Sequence, residues 1–223
     1  ATAVLEVYID TSPPQVALVT PVPGFYNVSW LEVSWVVEEA NFSHTVLYVD
    51  DQIYAMLTNT SVWLSLSEGN HSLLIAVYDR AGNVARASTW MVVDITPPLL
   101  EVLSPANGTT VFADAVVVQW HVEDTLSGVA RVWLRLDEGT WIDVSNATTY
   151  VLAGLEVGEH TIDLSVVDRA GNVASVRVCI TVTSEERPVF TYVVAGVLVG
   201  AGLAVGLLLL KRRRKARPSQ TAQ

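Results

Sequence analysis

Asp79-Arg80-Ala81-Gly82-Asn83-Val84-Ala85 recurs letter for letter as Asp168-Arg169-Ala170-Gly171-Asn172-Val173-Ala174. An identity of this length within one chain marks an internal repeat, which governs every local reading that follows. Working outward, Gly69-x-His71 matches Gly158-x-His160 at the same offset, Trp35 matches Trp120 at a shorter one, and Pro13-Pro14 matches Pro97-Pro98 at one shorter still. Offsets that grow along the repeat mean a few inserted residues in the second copy, so a whole unit is duplicated.

The stretches between these markers alternate as half-buried strands do. Val33, Trp35 and Val37 alternate with Glu32 and Ser34, and Val118, Trp120 and Val122 with Gln119 and His121. Ile162, Leu164 and Val166 face one way and Thr161, Asp163 and Ser165 the other, while Val176, Val178, Ile180 and Val182 close the second copy. The pattern predicts about seven short strands per repeat. No segment outside 189–210 carries a 3.6-residue period, which excludes parallel α/β folds. In D-R-A-G-N the Asp is placed to accept hydrogen bonds from backbone amides ahead of it and the Gly to take a positive φ, as suits a hairpin between the last two strands. The paired prolines after Asp remove donors and stiffen the connection between units.

This pattern resembles the Ig-like, fibronectin-III-like sandwiches that recur in bacterial and archaeal surface proteins. The resemblance spans about residues 12–183 and rests on Asp94-Ile95-Thr96-Pro97-Pro98 (loosely Asp10-Thr11-Ser12-Pro13-Pro14), the G-x-H strand start and the D-R-A-G-N turn. It implies an all-β chain of two tandem Ig-like β-sandwich domains, 11–94 and 95–184. It says almost nothing about a ligand.

All 23 acidic residues precede Pro188, whereas Lys211, Arg212, Arg213, Arg214, Lys215 and Arg217 all follow Leu210, so the net charge of −10 hides two opposed compartments. So acidic an N-terminal part repels nucleic acid and anionic lipid, and neither is expected as its ligand. Val189–Leu210 is uncharged throughout. At about 1.5 Å per residue it matches a bilayer core of ~30 Å, which favours a single transmembrane α-helix over a buried core helix. With the basic block beyond it, residues 1–188 are expected outside the cell membrane and the tail 211–223 in the cytoplasm, with 185–188 as linker. Gly196, Gly200 and Ala204, with Gly202 and Gly206, give small-xxx-small spacing that permits a helix-mediated dimer. Residues 1–10 are expected to be the last strand of a preceding repeat, and the chain the C-terminal piece of a longer array. The single cysteine, Cys179, allows no intrachain disulfide.

Six of the eight asparagines lie in N-x-S/T sequons: Asn27, Asn41, Asn59, Asn70, Asn107 and Asn146. All six are predicted between strands, with Asn59 and Asn146 at equivalent repeat positions, and N-glycosylation is expected. That chemistry in a chain without disulfides favours an archaeal source. The alternative is that Asn, Ser and Thr share a preference for turns. Asp50-Asp51, Asp79, Asp94 and Glu123-Asp124 lack EF-hand spacing, and no metal or other cofactor is expected. Arg131, Trp133 and Arg135 should share one outer sheet face, either as a patch for carbohydrate or protein with guanidinium stacked on indole, or as an ordinary solvated face. His71 and His160 share a repeat position and read as scaffold; no nucleophile, metalloprotease or phosphate-loop motif is present. The expected role is a non-enzymatic, membrane-anchored cell-surface protein whose repeats form a glycosylated stalk or adhesive array. The rival is a receptor-like or substrate-binding ectodomain serving an upstream catalytic or ligand-binding domain.

Overall fold

Alternating apolar residues can bury one side of a strand only against a second sheet, and the duplicated pattern closes two sandwiches. The computed structural model describes residues 9–184. The membrane segment 189–210, its flanks and all but the end of the expected N-terminal strand lie outside the described residues. Among the described residues no helix is long and apolar enough to cross a membrane.

The first sandwich contains β1 (Gln15–Thr20), β2 (Gly24–Tyr26), β3 (Trp30–Glu38), β4 (Phe42–Val49), β5 (Gln52–Leu57), β6 (Ser61–Ser65), β7 (Gly69–Asp79) and β8 (Val84–Val93). The second repeats them as β9 (Leu99–Ser104), β10 (Thr109–Val111), β11 (Ala115–Glu123), β12 (Val129–Leu136), β13 (Ile142–Asp143), β14 (Thr149–Ala153), β15 (Gly158–Asp168) and β16 (Val173–Val182). Sheets of order β1-β3-β6 and β2-β8-β7-β4-β5 face each other in the first, and β14-β11-β9 and β10-β16-β15-β12-β13 in the second. The strand beyond the expected seven arises because the first strand is divided. After Pro21 and Pro105 the chain leaves the three-stranded sheet and runs parallel to β8 or β16. Proline, unable to donate to a ladder, suits that crossing.

Trp35 and Trp120 occupy the central strand of each three-stranded sheet and are almost fully buried. Around Trp35 pack Leu31, Val33, Leu47, Leu64, Leu73, Ile75 and Met91, and around Trp120 pack Val118, Leu134, Leu152, Leu164, Val166 and Ile180. The two cores have no residue in common. Trp120→Ala is therefore expected to cost about 3–5 kcal/mol, confined to the second sandwich. Hydrogen exchange of the full chain should accelerate in β15 and β16 and stay unchanged in β7 and β8.

Candidate functional site

Each D-R-A-G-N turn joins the last two strands of its sandwich, as the sequence predicts. The Asn83 amide nitrogen donates to Asp79 Oδ1 (2.8 Å), and Asn83 Nδ2 to Oδ2 (2.7 Å). In the second copy Gly171 N (2.6 Å) and Asn172 N (2.9 Å) donate to Asp168 Oδ1, and Asn172 Nδ2 to Oδ2 (2.7 Å). Gly82 (φ 93°) and Gly171 (φ 99°) lie where a side chain would be strained.

Less legible is the reach of the same asparagines. Asn83 Nδ2 also donates to the carbonyl of Asp10 (3.1 Å), and Asn172 Nδ2 to that of Asp94 (2.8 Å). The turn thus grips the residue with which its own sandwich begins. Asp94 is fully buried, its carboxylate accepting from Thr96 N (3.2 Å) and Ser127 N (3.1 Å). From the first sandwich, Glu68 Oε1 accepts from Ile95 N and Thr96 Oγ1, both at 2.8 Å. The connection is stiffened by these bonds as well as by its prolines.

Asp94, Asp124 and Asp168 meet at this junction with carboxylate oxygens within 4.8 Å of one another. They could supply three of the roughly six to eight oxygens a calcium ion takes, although backbone N–H groups of residues 96, 126–128 and 171–172 already bond to them. By sequence Asp94 and Asp124 are acidic candidates, whereas Asp168 belongs only to its turn. Nothing in one-dimensional spacing brings the three together.

Arg131, Trp133 and Arg135 share the outer face of the five-stranded sheet, but the stacked indole is not the expected one. The Arg135 guanidinium lies 4.6 Å over the ring of Trp141. Arg135 Nη2 also donates to Asp163 (2.6 Å), and Arg177 Nε donates to the other Asp163 oxygen (2.6 Å). These residues are direct neighbours across β12, β15 and β16. Hydrogen bonds from Arg177, against the opposing effect of burial and joined by Arg135, hold the Asp163 carboxyl below its ordinary value. Arg135 is a strut of this ladder, leaving exposed Arg131 beside an open groove of about 520 Å³ lined by Asp143, Ser145, Asn146 and Tyr150. On the first sandwich the structure exposes an aromatic pair that no sequence motif marks, Trp30 and Trp63, whose rings stack with centroids 6.0 Å apart.

All six sequon asparagines are exposed. Five lie between strands; Asn70 does not, because β7 already begins at Gly69. Asn59 and Asn146 differ by one residue in placement: Asn59 directly precedes Thr60, whose carbonyl accepts from Trp35 N, whereas Asn146 stands two before the corresponding Thr148. Asn27 Nδ2 lies 3.5 Å from the Cβ position of Gly171 in the other sandwich.

Residues 98–164 match the bacterial Ig domain family. No curated protein matches the chain at a significant level. Among solved structures, the chain is similar to the fibronectin(III)-like modules of Clostridium thermocellum CbhA, at 17% identity and TM-score 0.50, covering 80% of this chain and 99% of that one. It is similar to the three N-terminal domains of the bacteriophage RB49 capsid protein Hoc (10% identity, TM-score 0.52, 78% and 71% covered). Extracellular domains 3–5 of Drosophila OTK are similar too (13%, 0.52, 76% and 62%). Residues 9–184 are a tandem of Ig-like domains. At these identities the likeness is one of fold.

Both Ig-like domains carry a further constellation, which turns the shared histidines from a motif into a strut. His71 Nδ1 meets Asp50 (2.8 Å) and its Nε2 the Ser67 carbonyl (2.9 Å); His160 Nδ1 meets Asp137 (2.9 Å) and its Nε2 the Glu156 carbonyl (2.8 Å). At His160 the carbonyl and the ionised carboxylate only accept, so both ring nitrogens must donate and the imidazole is favoured as its cation. The struts brace tight turns at Asp50, Asp51 and Asp137, all with left-handed φ of 51–62°. The Asp137 hydrogen bond, then that to the Glu156 carbonyl, raises the His160 pKa above its ordinary 6.5 despite partial burial. Burial pushes Asp137 up, but bonds from Thr161 and His160 leave it below its ordinary 3.8. A raised histidine contributes fully below 6.5 and loses its contribution as pH rises through the folded value; a lowered aspartate contributes above 3.8 and loses it as pH falls through its own. The pair therefore works fully between pH 3.8 and 6.5. His160 should titrate above 6.5 by NMR, and the melting temperature of the unaltered chain should fall toward that of His160→Ala as pH is raised from there.

Proposed function

We propose that the chain is a non-enzymatic, membrane-anchored cell-surface protein whose Ig-like domains serve as glycosylated stalk or adhesion modules. The observation that carries the reading is the pair of separate cores joined by a short connection bonded from both sides. Such units add length without needing each other to fold, as a stalk requires. Ig-like and fibronectin-III-like families are in general non-catalytic, in keeping with this role. Anchoring through residues 189–210, with the C-terminus cytoplasmic, rests on the apolar run and the basic block after it.

Glycosylation rests on the sequon excess and on the exposure of all six acceptors. Peptide mass spectrometry of native protein should find glycans on Asn59 and Asn146, and lowest occupancy at Asn27, whose Nδ2 faces Gly171. Unmodified peptides at all six positions would overturn this part. The stalk reading is tested by thermal unfolding of the separate segments 10–94 and 94–184, each keeping the aspartate that its own turn grips. Each is expected to unfold cooperatively on its own. If neither folds alone while the pair melts as one unit, a dedicated two-domain receptor replaces the spacer.

A further inference from the structure

The outer face of β3 and β6 is unlike its counterpart in the second domain. Trp30 and Trp63 project from it, 58% and 51% exposed, with ring planes only 15° apart. Glu32 pairs with Trp63, Ser65 with Trp30, and Ser34 with Ser61, so the indoles sit among a carboxylate and several hydroxyls. At the matching register of the second domain stand Ala115, Val117, Val151 and Ala153. The frame therefore does not need the tryptophans. Two half-exposed indoles that contribute to neither core are otherwise an unfavourable use of apolar surface.

We propose that this face binds a neutral carbohydrate chain, with pyranose rings laid on the Trp30–Trp63 platform and hydroxyls bonded by Glu32 and the flanking serines. The chemistry of the patch selects this occupant. Near-parallel, half-exposed indoles present faces of one orientation, against which a ring whose axial C–H bonds point outward can lie; a quaternary ammonium needs aromatic faces converging from several sides. No basic residue faces outward on β1, β3 or β6, so an acidic sugar or phosphate would find no counter-charge beside Glu32. A carboxylate among hydroxyls instead accepts and shares hydrogen bonds with a neutral polyol. The inference deepens the adhesive half of the proposed function, while the stalk test, which reads unfolding and not binding, stands apart from it.

The full chain is titrated with cellohexaose and with chitohexaose, following tryptophan fluorescence and heat, with polygalacturonate as the anionic control. The comparison variant is Trp30→Ala with Trp63→Val, the residues the second domain carries at these places, so folding should persist with an unchanged melting temperature. Trp90→Ala, an exposed indole on another sheet, controls for nonspecific stacking. Binding of either neutral oligosaccharide, lost at least about tenfold in the double variant (1.4 kcal/mol) and kept in Trp90→Ala, is the expected result. No binding of either up to millimolar concentration, binding retained by the double variant, or equal binding of polygalacturonate would overturn the proposal. So would concentration-dependent dimerisation abolished by the double variant, which would make the platform a contact between copies.

Discussion

The bond from Asn172 to Asp94, and its counterpart from Asn83 to Asp10, is the constraint on which the architecture turns. Each asparagine is first fixed by its turn, where Asp168 or Asp79 takes its backbone and side-chain N–H groups. Its second amide hydrogen then reaches the carbonyl where the sandwich starts. The last hairpin of a domain and its first residue become one object. At Asp94, whose carboxylate also receives Ser127 N, the end of one domain is built into the frame of the next. A connection pinned by its own side chains keeps two small domains in register without a common core.

The same logic governs the outer faces, where the two domains part company. In the second, a buried aspartate bridges two arginines across three strands and fixes Arg135 over Trp141. Buried ion pairs add little net stability against apolar packing, but removing one partner would strand Asp163 with an unpaired charge. That face is committed to its own structure. The first domain has Ala76 where the second has Ser165 and Leu74 where the second has Asp163, and stacks His44 on Tyr78 at 4.8 Å. Its three-stranded face is left with an aromatic pair that serves no core.

Much of the frame was legible because its determinants are local. The D-R-A-G-N turn, the inward alternation of Val33 and Trp35 or Ile162 and Leu164, and the Gly-x-His strand start each specify geometry within a few residues. Trio and cluster were harder, since their partners are chosen by register. Arg135 finds Asp163 only because β12 pairs with β15 at that alignment, and finds Trp141 only because the chain turns back into β13. Asp94, Asp124 and Asp168 belong to three segments, so no spacing rule groups them. Trp30 and Trp63 were invisible for the same reason: their stacking depends on how β3 and β6 align.

The likeness and the difference between the domains therefore separate frame from function. Identical residues satisfy backbone donors, take left-handed φ or fill a core, and each has a physical task that any copy of this sandwich must meet. Outward positions have no such duty, so substituting Trp for Ala or Val there costs the fold little while exposing apolar area to water. A duplicated unit that stays the same where backbone is satisfied, yet gains indoles on one outer face, has altered the surface and spared the frame. Recognition by this chain should accordingly be sought where its two halves differ, and the first domain, farther along the chain from the apolar run, is the half that carries the platform.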